Sequence, residues 1–147
     1  MTTIDAEPVQ ILLVEDSPGD ISLTIEALRG ARVANDLFVV RDGEEAMAYL
    51  RGEPPHQGAK RPNLILLDLN LPLKDGREVL AEIKSDTTLS MIPVVVLTTS
   101  ADNDDIINAY RSHAAGFVTK PVGFDDFLST VKSIEGFWLT IVRYPSP

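Results

Sequence analysis

The chain has 147 residues, a formal net charge of −9 and an isoelectric point near 4.6. That length suits one ordinary domain with a full core, and the acidity argues against direct contact with nucleic acid or anionic membranes, which need a basic surface. The chain has no cysteine and only His56 and His113 as imidazoles, which excludes disulfides and cysteine nucleophiles and leaves no basis for a His-built metal site or a Ser/His/Asp triad.

No apolar stretch reaches the length of a membrane span, and the tail 1–8 lacks the basic and apolar regions of a signal peptide. A cytoplasmic protein whose partner is another protein is expected. Val9-Gln10-Ile11-Leu12-Leu13-Val14 reads as a first strand ending on Glu15-Asp16. Ser17-Pro18 then offers an N-cap and a proline at the first helical position; Ile21, Ile25 and Leu28 recur on one face, and Gly30 is expected to close this helix. Leu37 to Val40 is the second strand, and Asp42-Gly43 turns it into a helix carrying Ala46, Met47 and Leu50. Residues 51–62 are polar and proline-rich, as in a surface loop.

The run from Asn63 to Pro72 is the most telling in the chain. A continuous Leu/Ile stretch this short reads as a parallel strand buried on both faces, with Asp68 at its C-terminal mouth and Pro72 halting further pairing. Gly76 to Ser85 follows as a helix with Val79, Leu80 and Ile83 inward. Pro93 to Leu97 is a fourth strand ending in Thr98-Thr99-Ser100, and Asp104 to Ser112 a short helix. Gly116 to Thr119 is a fifth strand ending in Lys120-Pro121. Phe124, Phe127, Leu128, Val131 and Ile134 mark the last helix. Five such units imply an α/β fold with a parallel sheet, right-handed crossovers and helices on both faces.

Four of the five strands thus end in polar or charged groups: Glu15-Asp16, Asp68, Thr98 and Lys120. In open α/β sheets ligands bind outside the carboxyl ends of the strands. Clustered carboxylates repel and raise one another's pKa, so a bound cation makes them tolerable. Hard oxygen donors select Mg²⁺, which takes one or two carboxylates together with phosphate oxygens. A lysine and a hydroxyl then suit the remaining phosphoryl oxygens, and Asp68 can act as nucleophile to form an aspartyl phosphate. Taken singly, each residue has an ordinary structural role at a strand end or helix entry; four converging strand ends are harder to attribute to accident.

The segments Leu13-Val14-Glu15-Asp16, Leu66-Leu67-Asp68-Leu69-Asn70-Leu71-Pro72, Leu97-Thr98 and Thr119-Lys120-Pro121 resemble the receiver domain of bacterial two-component response regulators, the match running from about Gln10 to about Glu135 and the domain being expected over residues 9–136. The resemblance implies a flavodoxin-like (βα)₅ three-layer sandwich with strand order 2-1-3-4-5. It implies that Asp68 accepts a phosphoryl group from a histidine kinase, with Mg²⁺ held by Glu15, Asp16, Asp68 and the main-chain carbonyl of Asn70. Lys120 would contact the phosphoryl oxygens, and Lys120-Pro121 would be a cis peptide. Thr98 and Phe117 would be the switch pair. Such a protein is not an enzyme beyond self-phosphorylation from a phosphodonor and slow autodephosphorylation.

A narrower resemblance rests on the proline-rich insertion, the run Asp75 to Asp86 and the ending Ile134-Glu135-Gly136-Phe137-Trp138-Leu139. These are similar to the stand-alone response regulators paired with bacterial and cyanobacterial phytochromes, which would make the kinase a phytochrome. With the chain stopping at Pro147, output is expected through protein contacts or phosphorelay. Residues 137–147 follow an already complete helix stripe with further large apolar side chains, so Phe137, Trp138 and Leu139 are expected to form a homodimer contact. Two other classes fit part of the pattern: a phosphate-independent interaction module, and a phosphatase of the haloacid-dehalogenase kind. The latter needs a second Asp two residues after the nucleophile, where this chain has Asn70.

Overall fold

The computed structural model describes residues 8–29, 35–98, 103–111 and 113–132. Gly30, Ile134 and the C-terminal extension with Phe137, Trp138 and Leu139 lie outside that range. Strands β1 (Val9–Val14), β2 (Asn35–Val40), β3 (Leu64–Asp68), β4 (Val94–Thr98) and β5 (Gly116–Thr119) alternate with helices α1 (Pro18–Arg29), α2 (Gly43–Arg51), α3 (Gly76–Ser85), α4 (Asn103–Arg111) and α5 (Phe124–Lys132). All strand pairs are parallel and the sheet order is β2-β1-β3-β4-β5. This is the flavodoxin-like arrangement that the resemblance to receiver domains implies.

The pleat divides the core between two faces. Leu12, Val14, Ile65, Leu67, Val94 and Val96 face α2, α3 and α4, where they meet Ala46, Met47, Val79, Leu80, Ile83 and Ala109. Ile11, Leu13, Leu64, Leu66, Val95, Leu97 and Val118 face Ile21 and Leu28 of α1 and Phe127 of α5. The β3 residues are buried on both faces, which is why that run is apolar without alternation. Its last residue is the first that must be polar.

The observed boundaries differ from the expected ones in instructive ways. Strand β2 begins two residues before Leu37, because Asn35 and Asp36 pair in register with Val9 and Gln10; the Gln10 side-chain amide donates to Asp36 Oδ2 at 3.0 Å, so polar residues extend an edge strand. Pairing of β3 stops at Asp68, four residues ahead of Pro72. Strand β4 starts after Pro93, whose carbonyl still accepts from the Ile65 N–H at 3.0 Å. A short 3-10 turn, Leu89–Met91, joins α3 to β4. The proline-rich segment after α2 does lack helix and strand, but it is not merely a surface loop. His56 from this segment packs its ring at 5.8 Å from Phe38 of β2 and 5.3 Å from Tyr49 of α2.

Two glycines fix the loop that leaves Asp68. A Cβ on Gly76 would lie 2.2 Å from the Asp68 carbonyl oxygen and 2.6 Å from Leu69 Cα, and one on Gly43 would lie 1.9 Å from the Lys74 carbonyl oxygen. The first turns of α2 and α3 therefore close on the β3–α3 loop with backbone against backbone, and the Gly76 N–H donates to the Leu69 carbonyl at 3.0 Å. A side chain at either position would push that loop, and Asp68 with it, out of place.

Candidate functional site

At the carboxyl ends of β1, β3 and β5 the chain gathers four acids around one ammonium group. Glu15 and Asp16 follow β1 directly, Asp68 ends β3, Asp20 lies in the first turn of α1, and Lys120 follows β5. Lys120 Nζ donates to Glu15 Oε2 at 2.9 Å, Asp20 Oδ2 at 3.0 Å and Asp68 Oδ2 at 3.1 Å. An ammonium group carries three protons, and all three are used. Glu15 is fully buried and Asp68 nearly so, whereas Asp16 is exposed. Carboxylate oxygens of Glu15, Asp16 and Asp68 all lie within 4.8 Å of one another.

The loop backbone completes the seat. The Glu15 N–H donates to the Val40 carbonyl at 3.0 Å, and its Oε1 accepts from the Ser17 N–H at 3.2 Å. Asp68 Oδ1 accepts from the Asn70 N–H at 3.1 Å, while the Asn70 side chain is on the surface. Thr98 is buried at the end of β4, beside Thr119 in the register, and its carbonyl accepts from the Lys120 N–H at 2.7 Å. The Lys120–Pro121 peptide is cis. Phe117, paired with Val96, is half-buried against the cluster on the α2–α4 face.

Burial and the neighbouring Asp68 charge push the Glu15 carboxyl up to about 7, although its bonds to Lys120 and the Ser17 N–H pull the other way. Burial alone would lower the Lys120 ammonium; its bonds to Glu15 and Asp20 and the charge of Asp68 outweigh that and raise it. One lysine is thus too little positive charge for this set of acids, and Glu15 retains a proton that an isolated carboxyl would lose. Three oxygen donors on a site still short of positive charge fit a small, hard divalent cation.

Asp20 is the one member of the constellation absent from the sequence reading. An acid in the first turn of a helix is ordinarily read as a partner of the helix dipole, and nothing in the local pattern shows that Lys120, a hundred residues away, folds onto it.

A doubly wound parallel sheet with an acidic, lysine-bearing mouth defines a receiver-type α/β domain. The family model for the response regulator receiver domain matches residues 11–132. The chain is 50% identical over 139 residues to the response regulator Rcp1 of Synechocystis sp., covering 95% of each chain. It is 42% identical over 143 residues to the probable methanogenesis regulatory protein FilR2 of Methanothrix harundinacea, covering 96% of this chain and 90% of that one. Among solved structures, the phosphorylated cyanobacterial phytochrome response regulator RcpA superposes with a TM-score of 0.76 at 55% identity, over 90% of this chain and 95% of that one. The Mn²⁺-bound form of Rcp1 gives 0.76 at 50% identity, over 95% and 100%. This chain belongs to the response regulator receiver domain family.

Because Glu15 holds its proton up to about 7, a divalent ion on these carboxylates has to displace that proton. With that midpoint, Mg²⁺ should bind about tenfold more tightly at pH 8 than at pH 6. Isothermal titration calorimetry at the two pH values, in buffers of different ionisation heat, should show both the affinity change and the proton release. Equal affinities with no proton released would count against this set of ligands.

Proposed function

We propose that the protein is a stand-alone response regulator that takes a phosphoryl group from the histidine kinase of a phytochrome onto Asp68. The observation that carries this reading is the Asp68 carboxylate, buried at the mouth of β3, bonded to Lys120 and within reach of Glu15 and Asp16. The phytochrome assignment rests on the likeness to Rcp1 and RcpA, and the stand-alone form on the matching length of Rcp1.

In this reading an Asp68 oxygen forms a bond to phosphorus while the P–N bond of the donor phosphohistidine breaks, its electron pair returning to the imidazole nitrogen. Asp68 is held for in-line attack by the Asn70 N–H on one oxygen and Lys120 on the other. Glu15, Asp16, Asp68 and the Asn70 carbonyl would hold Mg²⁺, whose contribution is to neutralise charge on the phosphoryl oxygens. Lys120 and the Thr98 hydroxyl would take the remaining oxygens. Thr98 shares the parity of Val94 and Val96, which face the α2–α4 cluster where Phe117 packs. A pull on Thr98 towards a phosphoryl group would therefore open room on the side where Phe117 sits, and a packed core converts such a displacement into a discrete surface change.

The phosphatase alternative lacks its acid/base group, since Asn70 has an exposed amide side chain and only its backbone N–H reaches Asp68. The same reading includes a homodimer through Phe137, Trp138 and Leu139, supported by the apolar run that these residues begin in the sequence. Removing residues 137–147 should then turn a sedimenting dimer into a monomer that still accepts phosphate; a full-length chain that sediments as a monomer at micromolar concentration would remove that part.

With a phosphorylated histidine kinase and Mg²⁺, the wild-type chain should gain one alkali-labile acyl phosphate, lost on hydroxylamine treatment. Asp68→Asn should fold and gain none. Thr98→Val should still be labelled, while the phosphorylation-dependent change at Phe117, followed by ¹⁹F NMR of fluorophenylalanine, should fade. Quantitative labelling of Asp68→Asn would show that the nucleophile is another residue.

A further inference from the structure

We infer that Asp20 is a positioning residue that latches Lys120 in the resting protein and must release it for phosphoryl transfer to Asp68. The inference rests on the function proposed above and adds to it a residue that acts through Lys120.

The Lys120 ammonium spends its three protons on Glu15, Asp20 and Asp68, at 2.9, 3.0 and 3.1 Å. To reach a phosphoryl oxygen it has to give one of these bonds up, and the three acceptors are not equivalent. The Glu15 side chain is 0% exposed and that of Asp68 4%, whereas that of Asp20 is 32% exposed. A buried carboxylate stripped of its cation has no water to replace it and loses heavily. Asp20 can exchange the lysine for water at the small cost typical of part-exposed ion pairs. Asp20 also stands apart from Glu15, Asp16 and Asp68, whose carboxylate oxygens converge within 4.8 Å; it is bonded to the lysine without belonging to that set.

Asp20 is held rigidly enough to act in this way. Its N–H donates to Ser17 Oγ at 3.3 Å, the capping contact of α1, and its carbonyl accepts from the Thr24 hydroxyl at 2.8 Å. Thr24 itself is buried. The carboxylate thus projects from an anchored first turn towards a lysine delivered by the far end of the sheet. In the resting protein this contact keeps Lys120 in place and neutralised. An incoming phosphoryl group, also anionic, competes with Asp20 for the same proton.

The test uses the full chain with saturating Mg²⁺ and acetyl phosphate, in which an Asp68 oxygen bonds to phosphorus as the P–O bond breaks and acetate departs with the electron pair. Label is followed by intact mass. Asp20→Asn should be phosphorylated roughly two- to fivefold faster than wild type, the factor expected for loss of a part-exposed ion pair. In a Lys120→Met background the same substitution should have no effect. In metal-free protein, Asp20→Asn should shift the Lys120 Nζ and Cε resonances, which loss of a helix-end charge alone would not do.

Three results would overturn the latch: an unchanged or slower rate in Asp20→Asn, the same acceleration without Lys120, or unmoved Lys120 resonances. Where Lys120→Met takes too little label for comparison, the resonances decide. A wild-type chain that takes no label from any donor would instead overturn the function proposed for Asp68, and the latch with it.

Discussion

One ammonium group holds the strand ends of this protein together. Lys120 stands 2.9–3.1 Å from three carboxylates that come from β1, α1 and β3. At an effective dielectric of about 20, a pair at that separation attracts by about 5 kcal/mol, against a desolvation penalty of several kcal/mol for each buried ion. The two are close in size for one pair. They tip in favour of the cluster because one desolvated lysine serves three acids, and against it wherever the lysine is absent. Burial, with the neighbouring Asp68 adding to it, is why Glu15 keeps a proton to about 7 although the lysine pulls the other way; what remains is a deficit of positive charge that a cation or a proton can fill.

The fold exists, from the site's point of view, to bring that lysine to those acids. Parallel pairing sets Val14 beside Leu67 and Asp68 beside Leu97, so the polar ends of successive strands emerge at one edge. The β3 core is buried throughout, which fixes Asp68 from below. The close approach of Gly43 and Gly76 to the following loop fixes it from above. Thr98 and Lys120 are joined by a 2.7 Å backbone bond, which couples the end of β4 to the residue that carries the charge.

Much of this was legible in the sequence because it depends on period and position alone. The unbroken Leu64 to Leu67 run announced a central parallel strand, Ser17-Pro18 and Asp42-Gly43 announced helix starts, and the polar ends of four strands announced the site. Asp20 was not legible, since its role depends on the reach of a side chain from the other end of the chain. The Phe38, Tyr49 and His56 ring contacts escaped for the same reason: three residues from a strand, a helix and a loop carry no shared period. The early start of β2 at Asn35 escaped because Asn and Asp are poor strand formers, and the Gln10 to Asp36 bond that compensates for them lies between strands. Local pattern locates elements and their ends; contacts between distant side chains need the fold.

The dependence on Lys120 is tested most directly by the stability of Lys120→Met in metal-free urea denaturation at two pH values. With Glu15 deprotonated at pH 8.5, loss of the lysine leaves buried carboxylates unpaired, and the cost should be about 3–5 kcal/mol. Below the Glu15 midpoint of about 7, at pH 5.5, the protonated carboxyl needs no cation and the cost should shrink by at least a third, with Mg²⁺ recovering part of the loss at pH 8.5. A Lys120→Met protein as stable as wild type at pH 8.5, or equally destabilised at both pH values, would contradict the view that this one charge holds the site together.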